Sequence, residues 1–212
     1  MSKGIVALCL IALLVFCPST YAAWSFEAMG GSCAHLSLPL VIRQEGYPVI
    51  KHQATWGTHP FEEAPYYSWR VAKWEDDKSW EFELIHDKMI LENPSGDIQH
   101  FEVSHGYNYL LVNRGCQRGQ QVFRVGAGII LGHPETKVRE KSHGDFRFLR
   151  GFYLSGIGAQ AAAQHNIDIY GPVYGILEGK MTAAWARVPV AEGFADVPAL
   201  AAHGLFGLGV RW

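Results

Sequence analysis

Phe206-Gly207-Leu208-Gly209-Val210-Arg211-Trp212 closes the chain with an apolar residue at every second position. Successive side chains of a strand point to opposite sides, so Phe206, Leu208, Val210 and Trp212 share one face. Gly207, Gly209 and Arg211 share the other. The same period returns upstream, where Trp80, Phe82 and Leu84 alternate with Glu81, Glu83 and, past Ile85, Asp87. Phe101, Val103, Tyr107, Tyr109 and Leu111 alternate with Glu102, Ser104, Gly106 and Asn108. Such runs exceed the roughly 5–6 residues of an ordinary soluble strand. They match the roughly 9–11 residues of a strand that crosses a bilayer.

Eight strands follow from this pattern, at about 24–36, 65–75, 79–91, 99–113, 120–132, 148–164, 172–187 and 200–212. Short turns fall at Asp76-Asp77-Lys78, 114–119 and 165–171, and longer loops at 37–64, 133–147 and 188–199, with 92–98 intermediate. The expected fold is all-β: an eight-stranded antiparallel transmembrane β-barrel with short periplasmic turns, longer outer loops and both termini on the periplasmic side. The aromatics fit two girdles. Trp24, Trp74, Trp80 and Trp212 fall at periplasmic strand ends, and Tyr66, Tyr67, Phe101, Phe148, Tyr153 and Trp185 near outer ends.

The 212 residues are 49% hydrophobic and 18% charged, with a net charge of −2, which argues against a nucleic-acid partner. An aromatic share of 13% argues equally against a disordered chain. Residues 1–22 read as a cleaved secretory signal peptide: Lys3, an apolar run from Gly4 to Phe16, then Pro18-Ser19-Thr20-Tyr21-Ala22. Residues 23–212 are then the barrel. Cys33 and Cys116 fall at different heights of it and are expected to remain unbridged.

Gly207-Leu208-Gly209-Val210-Arg211-Trp212 resembles the terminal signal read by the outer-membrane barrel assembly machinery, with Gly207, Val210 and Trp212 at its marked positions. Leu205 stands where that signal usually has a polar residue. The mature chain resembles, in architecture, the small eight-stranded outer-membrane barrels. That resemblance implies insertion by the assembly machinery into the outer membrane of a Gram-negative bacterium.

Parity turns Glu27, Arg70, Glu81, Glu83, Asp87, Glu102, Arg124, Glu178, Lys180 and Arg211 into the lumen. An eight-stranded barrel has an interior that side chains fill, and buried charges must be paired. The expectation is therefore a plugging ion-pair network, with Arg70 beside Glu83 and Arg211 beside Glu27.

His105 shares parity with Phe101, Val103, Tyr107 and Tyr109 and is expected to face lipid, with His86 on the same face and Lys88 nearer the rim. Ser104-His105-Gly106-Tyr107-Asn108 resembles the active-site strand of the lipid A 3-O-deacylases, whose pattern is His-x-Ser-Asn. The resemblance implies His105 as a base, but Tyr107 stands in place of the serine. Strand 120–132 offers no acid to orient the histidine, and Ser104 has the opposite parity. His100, Glu102 and Ser104 share a face, but at about 7 Å per two residues they are too far apart for a triad. The histidines show no recognised metal spacing, so no metal and no cofactor are expected. His133, Glu135, His143 and Asp145 share an outer loop and read as solvated. The 37–64 segment is long for a loop, and Ile50 to Trp56 within it is strand-like.

The reading that results is a small non-enzymatic outer-membrane barrel with an envelope-structural or lipid-binding role. One alternative is a lipid A-modifying hydrolase around His105 and His86. Another is a narrow pore, whose wall Gly126, Gly128, Gly156 and Gly158 would thin. The expected partners are outer-membrane lipids and lipopolysaccharide, with the protein a monomer.

Overall fold

The structure is a computed structural model that describes residues 23–62, 64–144 and 151–212, without the side chain of Ser104. The signal-peptide reading of residues 1–22 and the placements of Asp145 and Phe148 lie outside the described residues. Among those described, there is no helix.

Thirteen strands form one sheet: β1 (Ala23–His35), β2 (Leu38–Gln44), β3 (Ile50–Ala54), β4 (Trp56–Gly57), β5 (Tyr67–Glu75), β6 (Lys78–Leu91), β7 (Ile98–Arg118), β8 (Gln121–Gly132), β9 (Glu135–Val138), β10 (Lys141–His143), β11 (Tyr153–Tyr170), β12 (Val173–Val190) and β13 (Gly193–Arg211). Eight of these pair in a closed antiparallel ring, β1-β5-β6-β7-β8-β11-β12-β13. The last pairing joins the two ends of the chain, with Ser25 opposite Arg211 and His35 opposite Ala201. Trp24 and Trp212 exchange both backbone hydrogen bonds, at 2.7 and 2.9 Å. Every ring strand is thus paired on both of its sides, which is what a bilayer demands of strands.

The outer surface carries Phe26, Phe82, Val112, Phe123, Val125, Ile157, Leu177, Met181, Phe206 and Leu208, all exposed and spread over seven ring strands. A soluble monomer does not collect that much exposed apolar surface. It is the belt of a membrane barrel.

Turns at one end are tight: Asp76-Asp77, Gly119-Gln120 and Gly171-Pro172. Asp76, Gly119 and Gly171 have φ of 55, 61 and 54°, the left-handed region that Asp and Gly reach most cheaply. At the other end the long connections become sheet. β2 pairs with β3 and with the start of β13, β4 extends β6, and β9 lies along the start of β7.

Residues 188–199 are not a long loop. β12 and β13 run together to a two-residue turn at Ala191-Glu192, and Pro198 sits where β13 has left β2 (after Asp196) and not yet met β1 (at Ala201). A proline costs no ladder bond in such a gap. The 165–171 turn is also shorter, because β11 continues to Tyr170. Of the girdle aromatics, Trp74, Tyr66 and Phe101 are buried inside, while Trp24, Trp80, Tyr67, Tyr153 and Trp185 are outside and exposed. The β8–β11 ladder runs past Gly126, Gly128, Gly156 and Gly158 with a single register shift, so these glycines open no gap in the wall. A side chain at Gly158 would strike the ring of Tyr109, which fills that space from within.

The interior has two layers. The half near the tight turns is polar. Above it, Leu40, Ile42, Trp56, Met89, Phe101, Val103, Val188 and Val197 form an apolar plug, to which the inserted β2–β4 segment contributes.

Candidate functional site

Arg70, fully buried on β5, is the centre of the polar layer. The tight turn at Asp76-Asp77 sets it directly opposite Glu83. Its Nη2 lies 3.0 Å from Glu83 and 2.9 Å from Glu178, and its Nη1 lies 2.5 Å from Glu27. Arg124 joins Glu81 at 2.7 Å and Glu178 at 3.1 Å, and Lys180 bridges Glu83 and Glu178. Gln160, Asn113 and Ser68 donate further hydrogen bonds to Glu83, and Tyr174 donates to Glu27. Each ion taken from water costs several kcal/mol, so this density of partners is what makes the charged layer tolerable. The side chains of Arg70, Arg124, Lys180, Glu81, Glu83 and Glu178 are closed off from solvent.

Seven of the ten charged residues that parity turns into the lumen are therefore brought together; Asp87 lies inside but pairs with His35 above the layer, and Arg211 and Glu102 do not join it. Arg211 does not reach Glu27. It lies opposite Ser25, stacks its guanidinium 4.3 Å over the Trp74 ring and donates to Gln117, forming the floor of the barrel. Glu102 is outside the layer altogether. It lies on the outer extension opposite Glu135, with His100 at 3.7 Å.

The reason lies in β7, whose facing is the reverse of that expected. Tyr107 and Tyr109 point inward and are fully buried, Tyr107 donating to the carbonyl of Val197 and Tyr109 accepting from Thr182. Asn108, Leu110 and Val112 take the outer face. Between Asp87↔Tyr107 and Met89↔Val103 the register jumps, so β7 carries two residues more than β6. Gly106, at φ 129°, sits in this bulge. A bulge re-aims side chains, and here it turns His105 outward although Val103 and Tyr107 on either side face in.

The result is a depression of about 370 Å³ in the outer wall, lined by Tyr67, Leu84, Leu110, Leu131 and Phe152 with His86, His105 and Asn108. His86 is held by Asn108 Oδ1 at 2.8 Å and stacks on Tyr67, with ring centroids 4.8 Å apart. His105 Nδ1 lies 3.0 Å from Glu135 Oε1, an ion-pair contact that is off-line for a hydrogen bond. His133 packs against His105 at 4.9 Å. The acid sought on strand 120–132 is thus supplied just beyond it, at the start of β9. Its placement depends on β9 folding back along β7, which no periodicity announces.

A second group missed by sequence reading lies inside, above the ion pairs: Cys33 and His35 on β1 with Asp87 on β6. Cys33 Sγ is 3.1 Å from Asp87 Oδ1 and 3.3 Å from His35 Nε2. The spacing Cys33-x-His35 puts both side chains on one strand face, a signal available from sequence. Asp87 was not available as its partner until the ring closed.

No protein-family model matches the chain, and no curated protein matches it in sequence. Among solved structures it is similar to the outer membrane protein AlkL in DMPC bilayers, with TM-score 0.48 and 8% identity over 93% of this chain and 94% of that one. It is also similar to Ail, the attachment invasion locus protein of Yersinia pestis (TM-score 0.40, 8% identity, 92% of this chain and 100% of that one). A third is OprG from Pseudomonas aeruginosa (TM-score 0.39, 9% identity, 91% and 96%). The likeness is one of barrel shape and carries nothing about ligands. The chain is an eight-stranded β-barrel of the outer-membrane type, established by its own closed ring and apolar belt.

Proposed function

We propose that this protein engages an acylated lipid of the outer leaflet in the wall depression and hydrolyses one of its acyl esters, lipid A of lipopolysaccharide being the substrate class. The observation that carries this reading is the His105–Glu135 contact at 3.0 Å beside an apolar depression open to the acyl chains. The Glu135 carboxylate stabilises by its charge the imidazolium that forms when His105 takes up a proton, and Nε2, the ring nitrogen not facing that carboxylate, is the base. Water is the nucleophile. As its oxygen attacks the ester carbonyl, its proton passes to Nε2. The imidazolium then returns that proton to the departing alkoxide, giving a free fatty acid and an alcohol. Asn108, whose Oδ1 is taken by His86, has Nδ2 to offer the developing oxyanion.

A second reading, lipid binding without chemistry, is favoured by Tyr107. Its hydroxyl is turned inward onto Val197, so the position that carries serine in the deacylases supplies no nucleophile here. Insertion by the barrel assembly machinery, through the seam formed by Gly207, Val210 and Trp212, belongs to both readings. Mass spectrometry of lipid A from cells expressing the wild type and His105→Ala decides between them. The hydrolase reading expects one acyl chain missing with the wild type and restored with the variant. Identical lipid A, with both proteins folded in the outer membrane, leaves the binding reading.

A further inference from the structure

We infer that Cys33, His35 and Asp87 form a binding site for one divalent transition-metal ion, of the zinc class, inside the barrel. This site faces the interior and is separate from the wall depression.

The geometry is that of a ligand set. Cys33 Sγ, His35 Nε2 and Asp87 Oδ1 form a triangle with edges of 3.1, 3.3 and 3.3 Å. Zinc bonds to sulfur, nitrogen and oxygen at tetrahedral angles put such atoms about 3.3–3.6 Å apart, so an ion enters with shifts of a few tenths of an ångström. Thr58 Oγ1 lies 3.1 Å from the sulfur. Thiolate, imidazole and carboxylate together select zinc-like ions over calcium or magnesium.

Charge supplies the independent argument. The four interior glutamates each touch Arg70, Arg124 or Lys180. Asp87 is also fully buried, yet among the described residues its ion-pair partner is His35 alone, and its Oδ2 accepts no hydrogen bond. A buried carboxylate whose one ion-pair partner is a histidine, a cation only when protonated, is costly. A divalent ion on Cys33, which gives up its thiol proton on ligation, supplies the missing charge.

The location also calls for a brace. β5 begins only at Tyr67, opposite Gly30 of β1 and His86 of β6. Just above that level β1 and β6 lose the strand between them, and the gap is closed by the segment carrying Thr58. An ion held by Cys33, His35 and Asp87 ties the two strands across this gap.

The test uses the full chain refolded from urea into detergent under reducing conditions, with one equivalent of Co²⁺ or Zn²⁺. The expected result is one ion retained per chain, with a thiolate-to-cobalt charge-transfer band. Cys33→Ser should abolish the band and Asp87→Asn should lower retention, while His105→Ala and Glu135→Gln change neither. Heat-modifiable gel mobility reports folding of every variant. A folded wild type that lacks the band overturns the proposal whatever the variants do. So does retention lost in His105→Ala but kept in Cys33→Ser, which would assign the ion to His105, His133 and Glu135 on the outer wall. The hydrolase reading is scored on released fatty acid, so either idea can fail alone.

Discussion

Glu135 Oε1 lies 3.0 Å from Nδ1 of His105, across the junction between β9 and the bulge in β7. Two features far apart in the sequence create this contact: the extra residues around Gly106 that turn His105 out, and the return of β9 along β7. A glutamate with its side chain only 9% exposed beside a half-exposed histidine is placed to stabilise the imidazolium form of that ring.

If that pair acts as the base, Glu135→Gln should slow release of fatty acid from lipopolysaccharide about 10²-fold or more. His105→Ala should reach the same floor. The double variant should be no slower than His105→Ala, because residues acting as a unit are not additive. An assay of the purified barrel in mixed micelles measures all three. A Glu135→Gln protein of full activity would remove the carboxylate from the mechanism.

Arg70→Met should destabilise the barrel by about 3–5 kcal/mol, since it leaves buried carboxylates without their cation. Glu27, Glu83 and Glu178 all lose their closest guanidinium contact in that variant. The urea midpoint followed by tryptophan fluorescence in detergent reports the loss.

The β12–β13 ribbon should loosen in acid. Burial raises the carboxyl of Asp196, but Arg187 at 2.8 Å and Arg43 at 2.5 Å outweigh it and hold the group below the usual carboxylate range. A depressed folded-state pKa gives stabilisation that is present above the ordinary value of about 3.9 and lost as pH falls through the lowered one. With Arg187 and Arg43 half-exposed, the effect should stay below about 1 kcal/mol. Proteolysis at Ala191-Glu192 as a function of pH measures it, and Asp196→Asn should flatten the profile.

Gly207→Val should block closure of the ring. Gly207 lies opposite Met29, and a Cβ there would run into the backbone of Ala28 and Met29. Gly204→Ala meets open space and should be tolerated. The folded band on unheated gels, compared between the two variants, checks this.

Strand positions were legible because each needs only local information, namely an alternating run and a turn signal. The turn at Asp76-Asp77 also made one cross-strand neighbour legible, Arg70 opposite Glu83, because a two-residue hairpin leaves no freedom of register. That logic fails at β7. There, an apolar face reads from sequence as a lipid face, but this barrel lines its upper interior with Tyr107, Tyr109, Val103 and Phe101. Aromatic character alone does not separate a lipid-facing side chain from one in an apolar plug. Parity counting then carried the error to Glu102.

The sequence by itself determined an all-β chain of eight long strands carrying enough lumen charge of both signs to pair. Period-two alternation is a property of each strand alone, and opposite charges inside a narrow barrel have few places to go. Only the tertiary structure decided which face of β7 looks inward, where Glu135 meets His105 and how Cys33 and His35 come to face Asp87. Each of those depends on a bulge, a folded-back strand or the closure of the ring, where one residue of slippage reverses every side chain that follows.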